Sequence, residues 1–407
     1  MLPKLLGLVE QHHEWRSRCL NLVASESPTS PLVRQLLATD LGRRYWVGDV
    51  YGGGEYLGQI LELTRQLAVD LFQAGHVDVR PVTGHMAVLA TVIGLASPGD
   101  LVITVDPERG GYPLRIAQRY PIRLGFHPMA PDGLTVDGPA ATEQVRRLRP
   151  RLVVPGASEL LFPHPVGEVA CATREVGATL YFDGAHVLGL IAGHEFQDPL
   201  TEGADILTGS THKSFSGPQG GIILAATQGH AAQATSSMLD SPPLLQSGYH
   251  LNRVAALGVA LLEMREFGVA YAAQMVVNAR ELARAMHAQG IRVLGAERGF
   301  TRSHQVLLDM GGSYATPQGF AVKRTLERAG ILADSVVRLG VQEVTRLGMR
   351  EDAMVEIAGF VRRLLVEGEP CEQVGRDVAE LMTGHRQYHF CFESDTAAYE
   401  ALMAAAR

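Results

Sequence analysis

The chain has 407 residues, of which 46% are hydrophobic, 19% charged and 6% aromatic. This composition excludes an intrinsically disordered chain, and a length beyond ~300 residues exceeds what one hydrophobic core usually fills, so we expect two domains. The net charge of −7 excludes the basic surface of a nucleic-acid-binding protein. Four cysteines without a Cys-x-x-Cys pair, no signal-peptide core and no apolar run of bilayer length predict a cytoplasmic protein without membrane contact.

The first two thirds of the chain show helical periodicity and then alternating elements. We expect a helical arm over 1–40, an irregular Gly- and Tyr-rich stretch over 41–56 and an amphipathic helix over 57–74. Short apolar runs then alternate with helical segments; the runs are 101–105, 151–155, 179–183, 205–208 and 221–224. Because these runs are apolar throughout, they indicate strands buried on both faces of a mostly parallel sheet. The pattern predicts an α/β fold with helices on both sides of that sheet.

The last third predicts a smaller α+β module. After a helix over 251–267 we expect a domain boundary. The expected elements beyond it are a helix (275–289), two strands (291–294 and 305–310), a helix (316–330), a short strand pair and a helix (352–367). The predicted units are therefore the arm 1–40, a large domain 41–265, a small C-terminal domain 266–370 and a tail 371–407 without an assigned role.

Polar side chains gather where the predicted parallel strands end. Ligands of open α/β sheets bind at the carboxyl ends of the strands. Ser158, the segment 183–186 and the segment 210–213 stand at those ends. The sequence therefore predicts the ligand site there.

One lysine stands out in this region. Among 36 basic residues only Lys4, Lys213 and Lys323 are lysines. Lys213 follows a run of small hydroxylated residues and precedes a glycine-rich turn, which suits a desolvated amine that forms a Schiff base next to a phosphate. The alternative is a surface lysine in a loop. Asp183 ends a buried strand, where a carboxylate is costly unless paired. The protonated nitrogen of pyridoxal phosphate would satisfy it; a structural, hydrogen-bonded aspartate is the alternative.

At this point the chain resembles the serine hydroxymethyltransferases, which belong to the fold-type I, aspartate-aminotransferase-like pyridoxal phosphate enzymes. The resemblance covers most of residues 20–360. It rests on six stretches in the family's order, which begin at Leu22, Tyr51, Thr83, Asp183, Thr211 and Arg338. It implies pyridoxal 5′-phosphate as cofactor, a fold-type I transferase fold and an amino-acid substrate.

The resemblance implies a role for each residue around the cofactor ring. Lys213 would form the Schiff base, Asp183 would hold the pyridine nitrogen, and His186 and Ser158 would lie near the 3′-oxygen. Ser210 and His212, which lie three positions and one position before the lysine, would complete the cofactor site. Tyr112 would stack on the ring.

The resemblance also implies a phosphate site shared between two subunits. Thr83, Gly84 and His85 would bind the phosphate at a helix N-terminus, where free N–H groups favour an anion. Tyr45 and the turn 247–248, Ser247 and Gly248, would reach it from the neighbouring subunit of a homodimer.

The substrate residues complete the implied site. Arg338 with Ser25 would bind the substrate carboxylate, and Tyr51 would contact the substrate or relay a proton. No histidine has metal-ligand spacing with a partner, so no metal is expected.

The departures from the family concern folate and proton transfer. Val47 stands where the family has the glutamate that serves the folate-linked reaction, and Val50 and Tyr112 replace a tyrosine and the stacking histidine. Gln219 replaces an arginine, and His85-Met86 replace a Ser-Gln pair. The cofactor chemistry should persist while folate-dependent one-carbon transfer is lost.

Three functions follow from this pattern. The first is a folate-independent aldol-type lyase or transferase that makes or breaks the Cα–Cβ bond of a β-hydroxy-α-amino acid through a glycine quinonoid, as threonine aldolases and transaldolases of specialised metabolism do. The second is an oxygen-using, decarboxylating monooxygenase on a glycyl-type amino acid, such as a glycyl-nucleoside in antibiotic biosynthesis. The third is a cofactor-binding relative without turnover, against which the retained Lys213, Asp183 and Arg338 argue.

Overall fold

The structure is a computed structural model and describes residues 1–48, 50–235, 245–310 and 316–392. The α-helices are α1 (Leu2–Arg16), α2 (Pro31–Leu37), α3 (Leu57–Phe72), α4 (Gly84–Leu95), α5 (Gly138–Leu148), α6 (Val166–Val176), α7 (Leu188–Ala192), α8 (Gln228–Thr235), α9 (Leu251–Ala288), α10 (Pro317–Arg328), α11 (Gln342–Arg346), α12 (Glu351–Leu365) and α13 (Cys371–Thr383). The strands are β1 (Leu20–Asn21), β2 (His76–Asp78), β3 (Leu101–Thr104), β4 (Arg123–Phe126), β5 (Leu152–Val154), β6 (Thr179–Asp183), β7 (Ile206–Ser210), β8 (Gly221–Ala225), β9 (Gln305–Leu307), β10 (Ile331–Leu332) and β11 (Arg338–Gly340).

Seven strands form the central sheet in the order β2-β8-β7-β6-β5-β3-β4. Strand β8 runs antiparallel to both neighbours, and the other six strands point the same way. The predicted mostly parallel sheet is confirmed, and each of the five predicted apolar runs contains a strand. The edge strands β2 and β4 were not predicted, because β2 is short and polar and β4 has largely exposed side chains.

Successive side chains of the strands enter two different hydrophobic cores. Leu180 and Phe182 of β6 point into the core shared with α3, α5, α6, α7 and α9. Tyr181, between them, points into the core shared with α4 and α8. This alternation is the period of two that a β-strand imposes. Helices therefore cover both faces of the sheet, as predicted.

The C-terminal third differs from the prediction at three points. The helix expected to end at residue 267 continues as α9 to Ala288, so the proposed domain boundary falls inside a helix, and the division into domains stays a prediction. The strand expected over 291–294 is reduced to one bridge between Val293 and Leu308. The expected short strand pair is absent from the described part, because β10 pairs with β1 of the arm and β11 pairs with β9.

The tail begins with α13 and then returns to the body of the protein. Phe390 stacks against Tyr271 of α9 with ring centroids 5.3 Å apart, and Arg34 of α2 donates to the hydroxyl of Tyr388 at 2.8 Å. The rest of the tail, 393–407, lies outside the described residues. In the described ranges no helix combines the length and apolarity that crossing a bilayer requires.

Candidate active site

Lys213 lies in the turn that follows β7, and two side chains of this turn, Ser214 and Ser216, anchor it through three hydrogen bonds. Ser214 Oγ donates to the carbonyl oxygen of His186 at 2.5 Å. Ser216 Oγ bonds to the hydroxyls of Tyr271 at 2.8 Å and Ser27 at 2.6 Å. These bonds fix the backbone on either side of the lysine and set the direction from which its side chain enters the site.

The Lys213 amine is tuned by its surroundings. Burial lowers the pKa of Lys213 to about 8; the positive charge of Arg338 acts in the same direction, and Asp183 opposes it. No hydrogen bond to its Nζ is found within the described ranges. A larger fraction of the amine is therefore neutral and nucleophilic near neutral pH than in an exposed lysine.

Asp183 ends β6 and is 4% exposed. Its Oδ1 accepts from the backbone N–H of Ala185 at 3.1 Å, and burial raises the pKa of its carboxyl group. A buried carboxylate is stable when a cation lies against it. The protonated ring nitrogen of pyridoxal phosphate is such a cation, so this position fits the expected cofactor.

The predicted phosphate residues form a tight cradle at the N-terminus of α4. Thr83 caps this helix, and its Oγ1 accepts from the N–H of Met86 at 3.0 Å. Gly84 lies so close to β7 that an added Cβ would stand 2.0 Å from Ser210 Oγ. An added Cβ on Gly221 would likewise stand 2.4 Å from the Thr83 carbonyl oxygen. The glycines bring the backbone of three segments together, and the helix N-terminus offers N–H groups to an anion.

His85 and Tyr112 form a pair at this cradle. The Tyr112 hydroxyl lies 2.6 Å from His85 Nδ1, and the ring centroids are 5.9 Å apart. Burial and the charge of Asp183 raise the pKa of the Tyr112 phenol. The Tyr112 phenol therefore stays in its protonated form, with its hydroxyl engaged by His85.

Arg338 is held by two neighbours. Its Nη1 donates to the carbonyl oxygen of Ser158 at 3.0 Å, and its Nη2 pairs with Asp334 Oδ2 at 2.9 Å. Its Nε is buried and has no partner among the described residues. The guanidinium is therefore fixed next to Ser158 with donor capacity left, which suits the predicted carboxylate binding.

Ser25 and His212 line a cavity of about 480 Å³ beside the lysine turn. His212 Nδ1 accepts from the N–H of Gly220 at 3.4 Å, and burial lowers the pKa of His212 to about 4. Helix α1 and Tyr388 of the tail form other parts of the wall. The tail therefore contributes to the surroundings of the site, which its sequence did not indicate.

The residues predicted to serve a neighbouring subunit, Tyr45, Ser247 and Gly248, lie on the surface. Tyr51, the predicted substrate contact or proton relay, lies beside them. Tyr45 and Tyr51 are 58% and 46% exposed, and their ring centroids are 5.7 Å apart. Ser247 is exposed. Gly248 lies beside the Tyr45 ring, since a Cβ added to Gly248 would stand 3.7 Å from Cε1 of Tyr45. Within the described part of the chain, no hydrogen bond or ring contact joins this group to Lys213, Asp183 or His186.

Sequence reasoning missed three residues that hold the site. Asp334 pairs with Arg338, His304 contacts His186 from the position before β9, and Gln305, the first residue of β9, donates to the carbonyl oxygen of Ser158. Of these, only Asp334, four residues before Arg338, had a local signal. The structure brings the residues predicted to bind the cofactor ring, the helix N-terminus predicted to bind its phosphate and the arginine predicted to bind the substrate carboxylate to the carboxyl ends of the central strands. Their individual roles stay predictions. In the described residues no cluster of His, Cys, Asp and Glu is arranged to hold a metal ion.

Comparisons with known proteins agree with this geometry. The family model described as serine hydroxymethyltransferase matches residues 2–361. The serine hydroxymethyltransferase of Thermococcus kodakarensis is 38% identical to this chain, and the alignment covers 96% of each of the two chains. The serine hydroxymethyltransferase of Methanothermobacter thermautotrophicus is 39% identical, and the alignment covers 98% of this chain and 97% of the relative. The chain belongs to the serine hydroxymethyltransferase family.

A solved structure of this fold is also similar. The L-threonine transaldolase of Pseudomonas fluorescens, in its internal aldimine state, has a TM-score of 0.88 and 29% identity over 99% of this chain and 96% of its own. Together with the family it confirms the fold-type I architecture and indicates pyridoxal phosphate as the cofactor. The protein is thus a pyridoxal phosphate enzyme of transferase or aldolase type, in a family whose members bind amino-acid substrates.

Proposed function

We propose that the protein is a folate-independent enzyme that makes or breaks the Cα–Cβ bond of a β-hydroxy-α-amino acid, of the threonine aldolase or transaldolase type. One observation carries the proposal: the chain keeps Lys213, Asp183 and His186 for the cofactor, whereas Val47 stands in the place of the family's folate-site glutamate. A valine side chain neither transfers a proton nor hydrogen-bonds to a pterin. An aldehyde acceptor needs no such acid, and the transaldolase neighbour supports this reaction type.

Each residue of the site has its own role in the proposed reaction. Arg338, together with Ser25, binds the substrate carboxylate and so fixes the amino acid relative to Lys213. Pyridoxal phosphate supplies an electron sink that stabilises negative charge at the amino acid's Cα. Asp183 keeps the ring nitrogen protonated through its own negative charge, and Tyr112 covers one face of the ring. In cleavage the β-hydroxyl gives up its proton and Cβ leaves as the carbonyl carbon of an aldehyde; in synthesis an aldehyde carbon bonds to Cα and its oxygen takes up a proton. Tyr51 contacts the substrate or relays this proton.

We also propose that the active enzyme is a homodimer with shared sites. Helix α1 has no buried residue although it carries Leu2, Leu5, Leu6 and Leu8, which are 51% to 67% exposed. An isolated helix of this length is only marginally stable in water, so an apolar partner surface should cover it. Tyr45, Tyr51 and Ser247 are exposed on the same chain, as residues that complete a neighbour's site would be.

The setting of the reaction is part of the proposal. The four cysteines are free, which fits a cytoplasmic location. Loss of the folate-site acid fits a role in specialised metabolism, such as antibiotic biosynthesis, rather than one-carbon supply.

A second candidate function is supported by the same departures. Val47 replaces a proton donor, and Tyr112, whose phenol has a raised pKa, replaces another. A carbanion that is protonated slowly could react with dioxygen, which would make the enzyme an oxygen-using decarboxylating monooxygenase on a glycyl-type amino acid.

One experiment separates the two. Purified holoenzyme is offered L-threonine and a panel of glycyl amino acids, while acetaldehyde, carbon dioxide and dissolved oxygen are followed. Acetaldehyde release from L-threonine without oxygen uptake supports the aldol-type reaction. Oxygen uptake coupled to carbon dioxide release overturns it in favour of the monooxygenase. A holoenzyme that does neither with any member of the panel contradicts both.

A further inference from the structure

His304 lies in the interior of the site, between His186 and Ala24. The residue is fully buried in the turn that leads into β9. Its ring lies parallel to that of His186, with centroids 6.1 Å apart and an interplanar angle of 14°. Its Nε2 lies 3.4 Å from the carbonyl oxygen of Ala24, the residue before Ser25. His304 therefore contacts the cofactor side of the site with its ring face and the substrate side with its ring edge.

The backbone around His304 belongs to the same network. Gln305 Nε2 donates to the carbonyl oxygen of Ser158 at 2.9 Å, and its Oε1 accepts from the N–H of Leu160 at 2.9 Å. The His304 carbonyl oxygen accepts from Val341 N–H at 3.1 Å. Strand β9 pairs with β11, which begins at Arg338. The segment is thus tied to the ring residues and to the carboxylate-binding arginine at the same time.

Burial and the charges around the two rings keep both imidazoles neutral. Burial lowers the pKa of His304 to about 3, and Arg338 and Lys213 act in the same direction. Burial and the charge of Lys213 lower the pKa of His186 well below its ordinary value. Both imidazoles are therefore neutral at physiological pH. Because a carbonyl oxygen only accepts, the proton of neutral His304 resides on Nε2.

We propose that His304 is a positioning residue that holds two groups at once. Its ring face fixes the ring plane of His186 against the cofactor, and its Nε2–H holds Ala24 and thereby sets the position of Ser25 for the substrate carboxylate. This inference rests on the pyridoxal phosphate chemistry of the family, and it is independent of whether the reaction is of aldol or monooxygenase type.

Two substitutions remove one contact each. His304→Phe keeps an aromatic face toward His186 and removes the donor to Ala24. His304→Gln keeps an N–H donor at a similar reach and removes the aromatic face. Two binding measurements serve as readouts: the dissociation constant of pyridoxal phosphate from the apoenzyme, and the dissociation constant of glycine from the holoenzyme, both followed by visible absorbance and circular dichroism.

The two variants should fail in different ways. We expect His304→Phe to weaken glycine binding about five-fold, as the loss of one hydrogen bond does, while pyridoxal phosphate binding stays near wild type. We expect His304→Gln to weaken pyridoxal phosphate binding about five-fold, as the loss of an aromatic pair does, while glycine binding stays near wild type. Since neither readout requires turnover, failure of the proposed reaction would leave this test intact.

His127 provides the matched control. It is 4% exposed, and burial and the neighbouring His164 lower the pKa of His127 to about 3. His127→Phe and His127→Gln therefore remove a buried histidine that lies outside the site. The dissociation constants of pyridoxal phosphate and of glycine should equal those of wild type.

Three outcomes overturn the proposal. Parallel losses of both ligands in both His304 variants would show a general packing role, and no loss in either would show none. Equal losses in the His127 variants would show that any buried histidine has this effect. Should one His304 variant fail to fold, the other still tests its own contact against the matching His127 variant.

Discussion

The cofactor pocket and the exposed rim loops obey different constraints. Lys213, Asp183, His186 and Arg338 are at least partly buried within one chain, and hydrogen bonds or charges from several strands fix them. Tyr45 and Tyr51, by contrast, lie on the surface with no bond to the pocket among the described residues. By the resemblance, the buried Lys213, Asp183, His186 and Arg338 match the family's residues, whereas Val47 and Val50 of the rim depart from them. Within the pocket, the departures are Tyr112 and His85 at the phosphate cradle.

This difference shows where such an enzyme can change its reaction. A substitution in the pocket leaves a buried charge unpaired, which is costly, so the cofactor residues persist. A substitution in an exposed loop costs little stability, so the loop can lose an acid and the substrate preference can change. We therefore expect pocket variants to abolish cofactor chemistry and rim variants to alter turnover while the cofactor stays bound.

The largest effect should come from Lys213. We expect Lys213→Ala to remove the visible absorbance band of the bound cofactor and to lower turnover by about four orders of magnitude. Lys323→Ala is the control, because Lys323 pairs with Glu327, one turn further along α10, and has no contact with a site residue in the described ranges. A Lys213→Ala protein that keeps the band would place the Schiff base elsewhere.

The shared site should appear as complementation between two inactive variants. Tyr51→Ala alone should lower turnover about a hundredfold while keeping the cofactor band. When Lys213→Ala and Tyr51→Ala subunits are unfolded and refolded together, each mixed dimer should contain one intact site, because Tyr51 acts across the interface. Recovery of activity in the mixture supports the rim as part of the partner's site. No recovery despite mixed dimers would place Tyr51 in its own subunit's site.

Arg338 should act on the substrate and not on the cofactor. We expect Arg338→Met to raise the dissociation constant of glycine about a hundredfold, since a partly buried charge-assisted contact is lost. The cofactor band should remain. Arg292→Met removes an exposed arginine that pairs with Asp309 and should change neither quantity. Unaltered glycine binding in Arg338→Met would show that another residue binds the carboxylate.

The pH dependence of cofactor loading should reflect the low pKa of Lys213. Below about pH 8 the amine is protonated and lacks the lone pair that attacks the cofactor's aldehyde. The rate of holoenzyme formation should therefore rise about tenfold per pH unit and level off above pH 8. Because the Arg338 charge lowers this pKa, the plateau should begin at higher pH in Arg338→Met, measured by stopped-flow absorbance. A rate that is independent of pH would contradict the assignment.

The sequence allowed the sheet and the cofactor residues to be predicted because both follow local rules. All-apolar runs marked the interior strands, and the residues at their ends included Asp183 and Lys213. The long helix was predicted to end at residue 267, but α9 continues through Gly268 to Ala288. Gly268 lies in close contact with another segment, since a Cβ on Gly193 would stand 2.4 Å from the Gly268 carbonyl oxygen.

The supporting residues could not be predicted in the same way. His304 approaches His186 only because β9 pairs with β11, a pairing that brings together residues more than 30 positions apart. Tyr388 reaches the cavity beside Ser25 only because the tail folds back onto α2 and α9. Such contacts depend on tertiary packing and leave no periodic or motif signal in the chain.

The most direct test of the account compares folate with aldehyde chemistry on one preparation. Holoenzyme is assayed with L-serine in the presence and absence of tetrahydrofolate and, in parallel, with L-threonine alone; glycine formation is the readout for both substrates, and acetaldehyde is also followed for L-threonine. We expect tetrahydrofolate to leave serine turnover unchanged and L-threonine to release acetaldehyde. Stimulation of serine cleavage by tetrahydrofolate would contradict the account, because it would show that folate-linked transfer proceeds with Val47 in place of the glutamate.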